Sequence, residues 1–192
     1  MPLISTRQLN GTTMLGLWRM EECVLEGSTP RQRERHAVNM LLAAMTGEGT
    51  YRIDHEPSGK PILQSAGDKA LGYNQISISH THGYAAIILS CDTPVGIDIE
   101  YCSDRVNRIA SRFIHPDEKA ETTLQKLLLW SAKETVYKLY SEDKLEFFDM
   151  RLTCLCDGKM TIEQRKRKTV VDVCFEATDN YVLTYAIGES QA

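Results

Sequence analysis

Apolar residues recur along the chain at two periods, and the switches between them mark out its elements. Residues 14–21 (Met-Leu-Gly-Leu-Trp-Arg-Met-Glu) read as a strand. Ser28-Thr29-Pro30 then offers an N-cap with proline near the first helical position. In the helix that follows, Ala37, Met40, Leu41, Ala44 and Met45 keep helical spacing as far as Gly47, with Arg31, Arg33 and Arg35 crowded at its start. Residues 50–54 form a short strand, 57–61 a rigid Pro-Ser-Gly-Lys-Pro turn, Ile62-Leu63 resume apolar character, and 64–74 read as loop. Residues 76–80 and 84–90, joined by Thr81-His82-Gly83, have the pattern of a hairpin. A strand over 95–101, a short helix over 104–114 and a helical region within 116–140 come next. The last part, 150–156, 159–162, 169–177 and 181–187, is an antiparallel meander with turns at Asp157-Gly158 and Asp179-Asn180.

Strand, long helix, then several antiparallel strands thus occurs once in residues 14–90 and again in 95–187, without visible sequence repeat. The expected fold class is α+β, as two similar halves, 1–94 and 95–192, related by a pseudo-twofold with a cleft between them.

The second long helix departs from a simple apolar stripe. Leu127, Trp130, Glu134, Tyr137 and Lys138 fall on one face, and Leu124, Leu128, Ala132, Thr135 and Leu139 on another, both largely apolar. Lys126 and Lys133 mark the remaining, wetter side. A carboxylate and an amine within an apolar surface are expensive. Either Glu134 and Lys138 are an i,i+4 pair that steadies the helix, or they are aimed at something other than bulk water.

Composition narrows the classes. With 192 residues, 42% hydrophobic and 25% charged, the chain can bury a sizeable core as one domain or two small ones. A net charge of -4 and pI near 5.8 exclude a surface built mainly for nucleic acid or anionic membrane, so any polyanionic ligand must be met locally. The first ten residues have no charged-then-apolar signal pattern, and the longest apolar run, 84–89, is far short of the roughly 20 residues that span a bilayer. The expectation is a cytoplasmic protein without membrane partner. Six cysteines, including Cys154-x-Cys156 on one strand face, lack the paired spacing of a zinc site and are expected to be reduced core thiols.

Four constellations carry candidate chemistry. In Gly96-Ile97-Asp98-Ile99-Glu100 the period of two sends Asp98 and Glu100 to one side and Ile97 and Ile99 to the other. Such hard oxygen ligands suit Mg2+, although a solvated amphipathic strand has the same pattern. Glu134 completes a set of three carboxylates if the helix packs over the strand's polar face, and Lys138 then reaches a phosphate oxygen. Lys133 lies about 100° round from Glu134, so it is either a solvated lysine or a contact at the cleft end of the helix. Ser79-His80, at a strand end, can reach a ligand from a rigid sheet or be structural. Gly59-Lys60-Pro61 allows close approach to the backbone, but as a tripeptide is common.

Together, Gly59-Lys60-Pro61, Ile78-Ser79-His80, Gly96-Ile97-Asp98-Ile99-Glu100 and Trp130-Ser-Ala-Lys133-Glu134-x-x-x-Lys138, with Phe113 and Glu118 between the last two, resemble in order and spacing the 4′-phosphopantetheinyl transferase superfamily. The likeness is to its larger, pseudo-dimeric type, which primes peptide synthetases and related carrier proteins. It implies Mg2+-dependent attack of a serine hydroxyl of an apo acyl or peptidyl carrier protein on the β-phosphate of coenzyme A. The products are the phosphopantetheinyl protein and 3′,5′-ADP. Carried over by position, Asp98, Glu100 and Glu134 are the metal ligands, and Glu134, or a water on the metal, is the base. Lys138 steadies the phosphate, while Gly59, Lys60, Pro61, Ser79, His80 and Lys133 contact coenzyme A. The N-terminal half supplies coenzyme A contacts, the C-terminal half the metal site and catalytic helix, and a chain with an internal cleft is expected to be a monomer. One departure stands out: Asn39 precedes Met40-Leu41-Leu42 where members of this length often carry an arginine for a coenzyme A phosphate. The alternatives are a homologue that binds coenzyme A or carrier protein without turnover, and an unrelated Mg2+-dependent phosphohydrolase.

Overall fold

The structure is a computed structural model describing residues 2–20, 27–65 and 72–189. It is α+β and divides into two compact units, one reaching to Val95 and the other spanning Gly96–Gly188. In the first, strands β1 (Leu3–Gln8), β2 (Thr13–Arg19), β5 (Gln75–Thr81) and β6 (Tyr84–Ser90) form a sheet in the order β1-β2-β6-β5, every neighbouring pair antiparallel. A separate hairpin pairs β3 (Tyr51–His55) with β4 (Pro61–Ser65). Helix α1 (Pro30–Thr46) starts with a capping box between Thr29 and Gln32 and buries Ala37, Val38, Leu41, Leu42 and Met45 against Ile76, Ala85, Ile87 and Leu89.

In the second unit, β7 (Val95–Tyr101) lies beside β11 (Tyr181–Ile187) at one end of a sheet that continues through β10 (Thr169–Ala177) and β9 (Lys159–Gln164) to β8 (Met150–Cys156). Strands β8 to β11 are the expected antiparallel meander. Helix α2 (Thr123–Leu139) is capped by a Thr122/Gln125 box and packs Leu128, Leu129, Ala132 and Val136 into a core with Met160, Ile162, Val171, Val173 and Val182. Neither helix is long and apolar enough to cross a membrane.

Some elements differ from the sequence expectation. β1 has no counterpart in it: Leu3–Gln8 is an edge strand, mostly exposed, and its polar residues carry no apolar alternation. The expected helix at 104–114 is two 3-10 segments, Asp104–Arg108 and Ala110–Arg112, of which only Val106 is buried, too little apolar contact to anchor an α-helical face. The helical region expected within 116–140 begins at Thr123, where the cap supplies the start signal. Residues 66–71 of the expected 64–74 loop lie outside the described residues, and Ser65 ends β4. Cys154 and Cys156 are exposed, not core thiols, while Cys91, Cys102 and Cys174 are half-buried.

Each long helix approaches a strand at a glycine. A Cβ on Gly16 of β2 would meet Met45 Sδ at 2.5 Å, and one on Gly96 of β7 would stand 2.3 Å from the backbone oxygen of Thr135. The second contact is backbone against backbone, so α2 lies on the face of β7 that also bears Asp98 and Glu100.

Candidate active site

Strand β7 is buried from Val95 to Ile99, with Ile97 and Ile99 fully enclosed on one side. Its other side, acidic at Asp98 and Glu100, is roofed by α2 and not left to solvent. Asp98, 4% exposed, accepts from Lys138 Nζ at 2.8 Å through Oδ1 and from Ser131 Oγ at 2.8 Å through Oδ2. Glu100 accepts from the indole Nε1 of Trp130 at 2.8 Å. Trp130 is also wedged by aromatic contacts to Phe113 and Phe147, with ring centroids 5.2 and 4.9 Å away. It therefore packs and orients a carboxylate at once.

Behind Asp98 runs a buried chain of hydroxyls. Thr135 Oγ1 is 2.6 Å from Thr184 Oγ1, which donates to the Ser131 carbonyl at 2.9 Å, leaving the Ser131 proton for Asp98. This support was not legible beforehand. Ser131 lies one turn from Glu134 and shares its side of the helix, whereas Thr184 becomes relevant only through the packing of β11 under α2.

Glu134 is the least comfortable group. Burial raises its carboxyl pKa to about 6, Asp98 and Glu100 push the same way, and Lys138 opposes them. Three carboxylates within mutual influence, answered by one lysine, form a hard-oxygen donor set with an excess of negative charge, which fits a small divalent cation. In the arrangement described, no group of three or more His, Cys, Asp or Glu side chains among the described residues is gathered as a ready metal cage. Lys138 occupies one oxygen of Asp98, Oδ1.

Lys133 differs from its expected place on the wetter side of the helix. It is fully buried, donating to Glu118 Oε2 and to the Phe113 carbonyl, each at 2.7 Å. Burial lowers its pKa, and the bond to Glu118 counteracts this. Glu118 also accepts from the backbone N–H groups of His115 and Leu152, so the pair ties α2 to the 113–118 segment and to β8. With these partners Lys133 is bonded inward, next to Glu134, and ties the helix to the segment before it. The wheel position missed this because Glu118 sits in an aperiodic segment.

In the first unit, Gly59 has φ +89 in the exposed 56–60 loop between β3 and β4, beside Lys60 and Pro61. Ser79 is buried on β5 and His80 exposed, so the strand's alternation sends them to opposite faces. His80 Nδ1 lies 3.7 Å from Glu34 Oε2 on α1. Asn39 is exposed and lines a hollow of about 300 Å³ with Gly47, Tyr51 and Arg52. Between β9 and β10, Arg165-Lys166-Arg167-Lys168 forms a basic run, of which Lys166 donates to the carbonyls of Asp143 and Lys144 and Arg167 to both Asp143 carboxylate oxygens.

Comparison with curated proteins finds no match. A family model described as the 4′-phosphopantetheinyl transferase superfamily matches residues 94–186, a span that holds β7, α2 and the meander up to Ala186 but neither the Gly59 loop nor Ser79-His80. The acidic strand, the Trp130–Lys138 helix and the Lys133–Glu118 pair are thus all contained in residues 94–186, the segment that is similar to the 4′-phosphopantetheinyl transferase superfamily.

Proposed function

We propose that the protein transfers the 4′-phosphopantetheine group of coenzyme A to a serine hydroxyl of an apo acyl or peptidyl carrier protein, as a cytoplasmic enzyme acting as a monomer. The observation that carries this reading is the roofing of Asp98 and Glu100 by the helix that bears Glu134 and Lys138, within the segment that matches the family. Asp98, Glu100 and Glu134 would hold Mg2+. When bound, the ion neutralises charge on the pyrophosphate and fixes its orientation.

The chain's own residues supply the rest. Lys138, released from Asp98, turns its ammonium to a phosphate oxygen and offsets the charge that grows on the leaving group. Glu134, or a water beside it, takes the serine hydroxyl proton; its pKa of about 6 belongs to the metal-free site and would fall with a divalent ion bound. The serine oxygen forms its bond to the β-phosphorus as the bond to the bridging oxygen breaks, and 3′,5′-ADP departs with that electron pair. Trp130 and Ser131 hold Glu100 and Asp98 in place throughout. Gly59, Lys60, Pro61, Ser79 and His80 remain the proposed coenzyme A contacts of the first unit; Ser79 and His80 would have to meet it from different faces of β5.

The test is incubation of the purified protein with coenzyme A, Mg2+ and a set of apo carrier proteins, read by intact mass. Addition of one phosphopantetheine group to a carrier is the expected result. Cleavage of coenzyme A without a carrier would replace this reading with a phosphohydrolase, and binding without modification of any carrier would replace it with a binding module.

A further inference from the structure

Far from the acidic site, at the free edge of the second sheet, Cys154 and Cys156 place their sulfur atoms 3.0 Å apart, within reach of an S–H···S hydrogen bond. We propose that this pair is a thiol–disulfide exchange site that reacts with low-molecular-weight disulfides and closes on itself.

Strand alternation puts residues i and i+2 on one face, yet an ideal strand spaces their Cα atoms by about 6.6 Å. That is near the upper limit of the roughly 4.4–6.8 Å a disulfide spans. β8 is not ideal. Its register shifts between Leu152 and Cys154, so three residues oppose two on β9, after which Cys154–Cys156 pairs regularly with Thr161–Lys159. The sulfurs converge beyond that bulge, next to the Asp157-Gly158 turn, and both residues are exposed. Among the described residues β8 has a strand neighbour on one side only, leaving the pair open to a small reactant.

The surrounding face is polar. Cys156 pairs with Lys159 and Cys154 with Thr161 on β9, and beyond them lie Asp172 and Cys174 on β10. Lys159 is held by Asp172 at 2.7 Å and contributes positive charge near the sulfurs. Cys174 is two strands away from β8, about 9.5 Å in the pairing direction, and too far to compete as partner. No third His, Cys, Asp or Glu joins the two in a metal-binding group among the described residues, so the pair's chemistry is that of a dithiol.

The two thiols share one hydrogen bond in which either can donate, so either can open the reaction, Cys156 for example. The Cys156 thiolate forms a bond to one sulfur of a small disulfide and expels the other as a thiolate. Cys154 then loses its proton, attacks Cys156 Sγ and expels the second thiolate. Two protein S–H bonds are lost and one S–S bond is made, while the small disulfide is reduced to two thiols that take up the two protons.

The experiment equilibrates the full chain, reduced and freed of reductant, with graded ratios of reduced to oxidised glutathione and quenches in acid. Trypsin cuts after Arg151 and Lys159 and releases both cysteines in one peptide. As the ratio becomes oxidising, that peptide is expected to lose the mass of two hydrogens, and in Cys154→Ser or Cys156→Ser to carry a single glutathione instead. A peptide carrying two glutathiones, or one still reduced when Cys91, Cys102 and Cys174 are modified, overturns the proposal. Should either serine variant fail to fold by circular dichroism, phenylarsine oxide titrated into the wild-type protein decides. One arsenic retained on the 152–159 peptide supports a paired dithiol, and none refutes it.

Discussion

Lys138 and Asp98, separated by 40 residues in sequence, meet through Nζ and Oδ1 at 2.8 Å, and the lysine thereby neutralises one of the three carboxylates proposed as metal ligands. A cation bound at Asp98 would compete with the lysine for that carboxylate. A charge-assisted hydrogen bond contributes about 1.5–3 kcal/mol, and about 1.4 kcal/mol is a tenfold change in an equilibrium. Lys138→Met is therefore expected to bind Mg2+ or Mn2+ about tenfold more tightly while losing transfer activity. Calorimetric titration of the metal into both proteins checks this; equal or weaker binding by the variant would show that Lys138 does not compete.

Glu134→Gln should make the metal-free protein more stable. The carboxylate is disfavoured by burial and by Asp98 and Glu100, and a shift to about 6 from an ordinary 4.5 corresponds to roughly 2 kcal/mol at neutral pH. Removing the charge recovers about 1–2 kcal/mol of that. Denaturant unfolding with and without Mg2+ measures it: the variant gains stability without metal, loses the increment the metal gives the wild type, and does not transfer. A variant less stable than wild type contradicts the charge-excess account.

Ser131 touches no reacting atom and acts through Asp98. Ser131→Ala is expected to weaken metal affinity by about 10–100-fold, the usual effect of removing such an outer partner. Ser131→Thr, which keeps the hydroxyl, restores most of it. Affinity is read by Mn2+ paramagnetic resonance, independently of turnover, and a variant that loses stability but keeps full affinity would reduce Ser131 to packing.

The Lys133–Glu118 pair offers a separable structural test. Removing one partner strands the other charge in the core, so Lys133→Ala and Glu118→Ala should each cost about 3–5 kcal/mol. The double variant Lys133→Met, Glu118→Leu should regain part of the loss: both charges go together, while the backbone N–H groups of His115 and Leu152 still lose their acceptor. If the single changes cost nothing in urea unfolding, the pair does not clamp the helix.

The carboxylates on β7 and the Glu134/Lys138 turn were legible because the periods of 2 and 3.6 assign faces directly, and α2 covering β7 joins those faces. Lys133 misled because helical periodicity gives a direction but not what waits there; its partner Glu118 is 15 residues away in an aperiodic segment. Thr184 is invisible for a similar reason, its hydroxyl mattering only once β11 lies against α2. β1 was missed because an exposed edge strand needs no apolar alternation, while the meander announced itself through buried alternate residues and turn chemistry.

At Gly96 the spacing between α2 and β7 is fixed by main-chain atoms, the Thr135 carbonyl against a residue without a side chain. Side-chain contacts can relax by changing rotamer; this one has no rotamer to change. Conservative losses elsewhere in the core, such as Val136→Ala, therefore draw on the thermal margin of the unit while the separation of Glu134 from Asp98 stays the same. The acidic site behaves as a gauge set by the backbone, insensitive to gradual drift of the interior and vulnerable at a single position. A methyl group at residue 96 is the smallest change that would reset it.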